Sequence, residues 1–133
     1  MPRHPDSLFL EAVTYFRNHQ LVEAKLVCLN ILKEDPNHFD SLHLLGAMAL
    51  QEGNLFDAED FLLRALKINE NSSAAFSNYG LVLLNAQKFE SAIKAFEKAL
   101  NIEPNRLIAI FNIGLTHHLN GNFDSALAFY EKF

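Results

Sequence analysis

The feature that most constrains the fold of this chain is a glycine that returns every 34 residues. Gly46, Gly80 and Gly114 share this spacing, and Glu11-Ala12 is a weaker copy one period earlier. Alanine follows the same period at positions 24, 58, 92 and 126. An asparagine-containing turn separates the units, at Asn37, Asn71 and Asn105. Markers that share one period of this length indicate a repeat protein.

Each unit has the pattern of two helices joined by a short turn. Apolar residues recur at spacings of three and four, as in Phe89, Ile93, Phe96 and Leu100, which is typical of an amphipathic helix. Two of the turns contain Gly53 and Gly121, and glycine can end a helix in the left-handed conformation. We predict first helices at 5–18, 39–52, 73–86 and 107–120, and second helices at 21–34, 55–68, 89–102 and 123–133.

Small residues are expected where the two helices of a pair cross. Gly80 and Ala92 would lie at such a crossing, where a bulky side chain would push the helices apart. Pro36 and Pro104 stop or restart helices between units, because proline has no amide hydrogen to donate.

The third unit carries these markers most completely, with Phe76, Tyr79-Gly80, Leu83, Ala92, Phe96 and Pro104. It resembles the tetratricopeptide repeat family, whose pattern is Trp, two residues, Leu-Gly, two residues, Tyr, then Ala, three residues, Phe, then Pro. Tryptophan is absent from the chain. The resemblance implies an all-α fold, a right-handed superhelical solenoid of antiparallel helix pairs with about three and three-quarter repeats. It makes 1–133 a single domain, with repeats 5–38, 39–72, 73–106 and an incomplete 107–133.

The resemblance further implies that the first helix of each pair lines a concave, partner-binding face. Asn78 and Asn112 hold the same place on this face, two residues before the glycine. A primary amide can donate to and accept from a peptide backbone at once, although a solvated or locally bonded asparagine is the alternative. The pair is similar to the asparagine ladder of O-linked N-acetylglucosamine transferases, but Leu10 and Leu44 interrupt it. The remaining candidate positions on the face are Phe9, Leu44, His43, Ser77, Leu81, Asn85, Phe111 and His118.

Charge and composition limit the kind of partner. The net charge is −5 with no basic cluster, which disfavours nucleic acid. The expected concave face carries almost no cations, so an apolar or helical segment fits it better than an acidic tail. No run approaches the ~18 apolar residues that span a bilayer. The single cysteine and the absence of a leader-like start favour a cytoplasmic location.

No catalytic constellation is evident in the sequence. None of the six histidines pairs with another at the spacing of helical metal ligands, so neither a metal nor another cofactor is expected. His117 is expected to pack at the family's tyrosine position, and Cys28 is expected to be an inert core thiol.

We therefore expect a non-enzymatic scaffold that binds a protein or peptide in its groove. One alternative is a substrate-recruiting or regulatory arm of a larger enzyme, such as a glycosyltransferase. A third hypothesis is self-assembly into a homo-oligomer through the C-terminal end, which carries Phe123, Leu127, Phe129, Tyr130 and Phe133. Such an uncovered apolar end also favours the chain being the N-terminal part of a longer protein.

Overall fold

The computed structural model describes residues 3–132, and this range folds into eight helices without a strand. Successive helices form antiparallel pairs, so the predicted all-helical fold is confirmed. The first helices end one residue earlier than predicted, and the predicted helix end at Phe133 lies outside the described residues. The helices are α1 (Pro5–Arg17), α2 (Leu21–Glu34), α3 (Phe39–Gln51), α4 (Leu55–Ile68), α5 (Ser73–Asn85), α6 (Phe89–Ile102), α7 (Leu107–Leu119) and α8 (Phe123–Lys132).

The turn inside every pair contains one residue in the left-handed backbone region. These residues recur every 34 positions, with φ of 60° at His19, 79° at Gly53, 61° at Gln87 and 82° at Gly121. Glycine adopts this conformation without steric cost, whereas histidine and glutamine do not. The repeat therefore imposes the same backbone on all four turns, although only two of them have the residue that suits it.

The residue before the first helix of a pair caps that helix in three of the four repeats. His4 accepts from the amide of Asp6, His38 from that of Ser41, and Ser72 from that of Ala75. These side chains satisfy amides that have no partner within the helix. Arg106 holds the corresponding position before α7 and makes no such cap.

Helix contacts divide the chain into two compact units, Met1–Asn69 and Glu70–Phe133. In the first unit the buried core joins small residues of α1 and α2 to α3, as in Ala12, Ala24, Cys28, Leu45 and Met48. In the second unit it joins α5, α6 and α7 through Leu83, Leu84, Ala92, Ala95, Phe96 and Ile113. Each unit thus contains two helix pairs and a core of its own.

The periodic glycines allow the two helices of a pair to approach closely. A Cβ at Gly46 would lie 2.6 Å from Leu62 Cγ, and one at Gly80 would lie 2.5 Å from Phe96 Cε1. At Gly114 it would collide with the ring of Tyr130. The nearest neighbour of Gly80 is therefore Phe96, one helical turn beyond Ala92. The small residue makes room for an aromatic side chain of the partner helix.

Candidate functional site

The two candidate asparagines lie in the second unit, Asn78 on α5 and Asn112 on α7. Asn78 is half-buried, whereas Asn112 is 5 % exposed. The side-chain nitrogen of Asn112, Nδ2, is buried and has no hydrogen-bond partner among the described residues. Leaving a buried donor unmet costs about 1–3 kcal/mol. Asn112 is therefore a polar group whose hydrogen bonding is incomplete in the isolated chain.

The other candidates of the second unit differ in how accessible they are. Asn85, Phe111 and His118 are exposed, and Leu81 is half-buried. The His118 ring meets Phe123 edge-on with ring centroids 5.0 Å apart. Phe111 is next to Asn112 in sequence, but neighbouring side chains of a helix point about 100° apart, and the Phe111 ring lies against Tyr130 instead.

Ser77 is buried and its hydroxyl is already engaged. Arg106 Nε donates to Ser77 Oγ at 3.1 Å, and Arg106 Nη1 donates to Ser73 Oγ at 3.2 Å. Ser73 Oγ in turn donates to Glu103 Oε1 at 2.7 Å. This network ties the start of α7 to α5. The sequence signal for this network is Ser73 and Ser77, one helical turn apart on α5, together with Arg106 directly before α7.

The first unit carries the remaining candidates, Phe9 on α1 and His43 and Leu44 on α3, all half-buried. Phe9 packs against the His38 ring at a centroid distance of 5.7 Å, and His43 packs against Phe39 at the same distance. Leu44 packs against the buried core. This surface is therefore aromatic and aliphatic, without an amide at the register of Asn78 and Asn112.

Sequence reasoning did not identify the role of His38, which links two repeats. Its Nδ1 accepts from the Ser41 amide at 3.2 Å, so the ring proton lies on Nε2, which donates to Asp6 Oδ1 at 2.8 Å. The hydrogen bond from His38 is the main cause that lowers the pKa of Asp6; desolvation opposes it, and the neighbouring His4 adds a smaller lowering. His38 thus caps α3 and holds α1.

Cys28 and His117 are the remaining titratable side chains for which the sequence made a prediction. Within residues 3–132, no three His, Cys, Asp or Glu side chains come together in a way that would hold a metal ion. Cys28 is fully buried, and burial raises its pKa to about 11, against a small lowering by a hydrogen bond with Ser41. His117 is half-buried, and its Nδ1 has no partner among the described residues. None of the described helices combines the length and hydrophobicity needed to cross a membrane.

Known proteins resemble this chain in its repeats and in its fold. The family model for the tetratricopeptide repeat matches residues 71–132, and no curated protein matches the chain. Two crystal structures of MamA are each 25% identical to it with a TM-score of 0.90; they cover 97% and 98% of this chain, which covers 70% and 77% of theirs. MamA 41-end from Desulfovibrio magneticus RS-1 has the same fold at 21% identity, with a TM-score of 0.89. The match covers 97% of this chain and 73% of that MamA chain. Residues 71–132 thus match the tetratricopeptide repeat, and the chain as a whole has the fold of the MamA structures.

Proposed function

We propose that this chain is a non-catalytic protein-interaction module that holds an extended peptide segment against α5 and α7. Arrays of helix pairs offer extended surfaces for binding rather than enclosed reactive sites. The observation that carries the proposal is the buried Nδ2 of Asn112, which has no acceptor among the described residues. Because Nδ2 is buried, the side chain would have to turn outward before a backbone carbonyl of the bound segment could accept from it. Asn78 lies in the same register on α5.

The charge of the two helices defines the chemistry of the segment. Neither α5 (Ser73–Asn85) nor α7 (Leu107–Leu119) contains an Asp, Glu, Lys or Arg. A face without charge neither attracts nor rejects a partner through long-range electrostatics. Leu81 and Phe111 offer apolar surface instead. We therefore expect a segment with uncharged, apolar side chains and a binding constant that changes little with salt.

The test uses a displayed library of random peptides selected on the chain, with binding then measured for an Asn112→Leu variant. Leucine removes the unmet donor, so this variant should unfold at a higher temperature than the parent. It should nevertheless lose the selected peptides, with a Kd at least about tenfold weaker. A variant that is more stable and yet binds more weakly shows that the amide serves the ligand. A structural amide would instead lose stability when it is replaced.

Asn105→Leu is the matched control, because Asn105 is an exposed residue of the turn before α7. It should retain the selected peptides with unchanged affinity. Selected peptides that bind Asn112→Leu as tightly as the parent would refute the role of the amide. Enrichment of acidic or basic peptides would refute the proposed uncharged partner.

A further inference from the structure

The turn between α7 and α8 contains Asn120 followed by Gly121, and no other asparagine of the sequence is followed by glycine. Asparagine is a chemically labile residue, because the backbone nitrogen of the next residue can attack its side-chain amide. A side chain on that next residue hinders the attack, and glycine has none. Both residues are exposed, so water can reach the reacting atoms. The turn therefore combines a labile side chain with an unhindered neighbour.

The exposure of this turn is a property of the repeat. The equivalent turns one and two periods earlier contain Ala86-Gln87 and Glu52-Gly53, and these residues are exposed although further helix pairs follow them. A Cβ added to Gly121 would meet no atom within 4 Å, so the turn also has space around it. The accessibility of Asn120 therefore follows from its place within the repeat.

The first repeat provides a matched reference, because Asn18 holds the position of Asn120 three periods earlier. The backbone angles φ and ψ are −89° and 12° at Asn18, and −82° and 2° at Asn120. The following residue is left-handed in both turns, with φ of 60° at His19 and 82° at Gly121. The two asparagines thus share one backbone conformation and differ in whether a side chain follows them.

Backbone hydrogen bonds hold both turns in the same way. The amide of Gly121 donates to the carbonyl oxygen of His118 at 3.1 Å, and the amide of His19 donates to that of Phe16 at the same distance. The nitrogen must leave this bond before it can attack, so the end of the helix has to open first. Helix ends open locally at little cost in free energy. Because the same opening precedes attack in both turns, the following residue decides which asparagine reacts faster.

We propose that Asn120 is a site of spontaneous deamidation. The backbone nitrogen of Gly121 loses its proton to hydroxide and forms a bond to Cγ of Asn120, and the side-chain nitrogen leaves as ammonia. Water then opens the resulting succinimide ring at either of its two carbonyl groups, which yields aspartate or isoaspartate. The reaction consumes one water molecule and releases one ammonia molecule, without any other reactant.

Both products weaken the turn that joins α7 to α8. The new carboxylate lies at the C-terminus of α7, where a negative charge is unfavourable. Isoaspartate also lengthens the main chain by one atom within the turn. The hydrogen bond from the Asn122 amide to the His117 carbonyl oxygen, 2.8 Å long, spans the altered residue and depends on its length. We therefore expect deamidation to destabilise the last helix pair, an effect that does not depend on the peptide-binding proposal.

The test is incubation of the folded chain at neutral and mildly alkaline pH, followed by digestion and mass spectrometry of the peptides. Asn120 should convert to aspartate and isoaspartate at least about tenfold faster than Asn18. The rate at Asn120 should rise with pH, because the attacking nitrogen must lose its proton. Equal rates at Asn120 and Asn18 would overturn the proposal.

His19→Gly is the matched variant, because it gives Asn18 the neighbour that Asn120 has. Glycine adopts a left-handed φ without steric cost, so the turn should keep its backbone conformation. Asn18 should then convert at least about tenfold faster than in the parent. An unchanged rate at Asn18 would show that the following residue does not control the reaction, which would also overturn the proposal.

Asn120→Asp carries one of the two products in every molecule and isolates the effect of the new charge. It should unfold at a temperature a few degrees below that of the parent, because the charge opposes the dipole of α7. An unfolding temperature equal to that of the parent would refute the effect of the charge on stability.

Discussion

At the scale of single residues, two side chains between helices connect successive repeats. His38 caps α3 while holding Asp6 of α1, and Arg106 joins α7 to two serines of α5. Both occupy the residue before the first helix of a repeat. That position is readable from the sequence, but its side-chain partners lie about 30 residues away and depend on rotamers. The in-register amides Asn78 and Asn112 could be found because they repeat; these two links could not, because their chemistry differs in every unit.

The hydrogen bond to Asp6 predicts an acid-sensitive contribution to stability. The pKa of Asp6 is lower in the folded chain than in the unfolded chain, chiefly because His38 donates to the carboxylate. The contribution is therefore complete above the unfolded pKa and is lost as the pH falls through the folded pKa. Asp6→Asn should flatten the fall in the free energy of unfolding below about pH 4. Urea unfolding at a series of pH values from neutral to acidic measures the free energy of unfolding of the variant and of the parent.

Asp40→Asn is the control, since Asp40 holds the position of Asp6 in the next repeat. No following histidine can donate to it, because Ser72 stands where His38 stands one repeat earlier. Parallel pH profiles for Asp6→Asn and the parent would contradict the prediction.

At the scale of elements, the turns show how far a repeat pattern determines local structure. The predicted helices match the observed ones to within one residue, since period, apolar spacing and breakers all agree on the boundaries. The left-handed residue was foreseeable at Gly53 and Gly121. It was not foreseeable at His19 or Gln87, because neither residue type favours positive φ. Only their position in the repeat, 34 residues from a glycine, marks them.

This mismatch predicts a stabilising substitution. Gln87→Gly should raise the free energy of unfolding by about 0.5–1 kcal/mol, because relief of the left-handed strain exceeds the extra backbone entropy of glycine. Gly53→Gln, at the equivalent turn, should lower it by about 1 kcal/mol. Chemical denaturation of the two variants measures both changes. Destabilisation by Gln87→Gly would show that the side chain makes contacts that outweigh the strain.

At the scale of the whole molecule, each compact unit has its own core and at least one close-packed glycine. In a repeat protein, stability is approximately a sum of local terms. A valine at Gly80 would displace the Phe96 ring and loosen the core of Glu70–Phe133. The division into two units was not readable from the sequence, because the period is the same throughout the chain.

We expect Gly80→Val to accelerate amide hydrogen exchange chiefly within Glu70–Phe133. Gly46→Val, which would displace Leu62, should act chiefly within Met1–Asn69. Overpacking of this kind costs about 1–3 kcal/mol. Exchange measured by mass spectrometry of both variants resolves the two units. Uniform acceleration along the chain in both variants would show a single cooperative structure instead.

The last helix pair exposes apolar side chains, whereas α1 carries an ion pair between Arg3 and Glu11, and this contrast gives protein engineers a direction for lengthening the chain. An idealised helix pair fused after α8 could bury Leu107, Phe123 and Leu127, which are already suited to contact. The same pair fused before α1 would have to bury Glu11 with its ion-paired Arg3, and buried charges are expensive unless fully paired. Designed extensions of this protein should therefore be grown from its last helix.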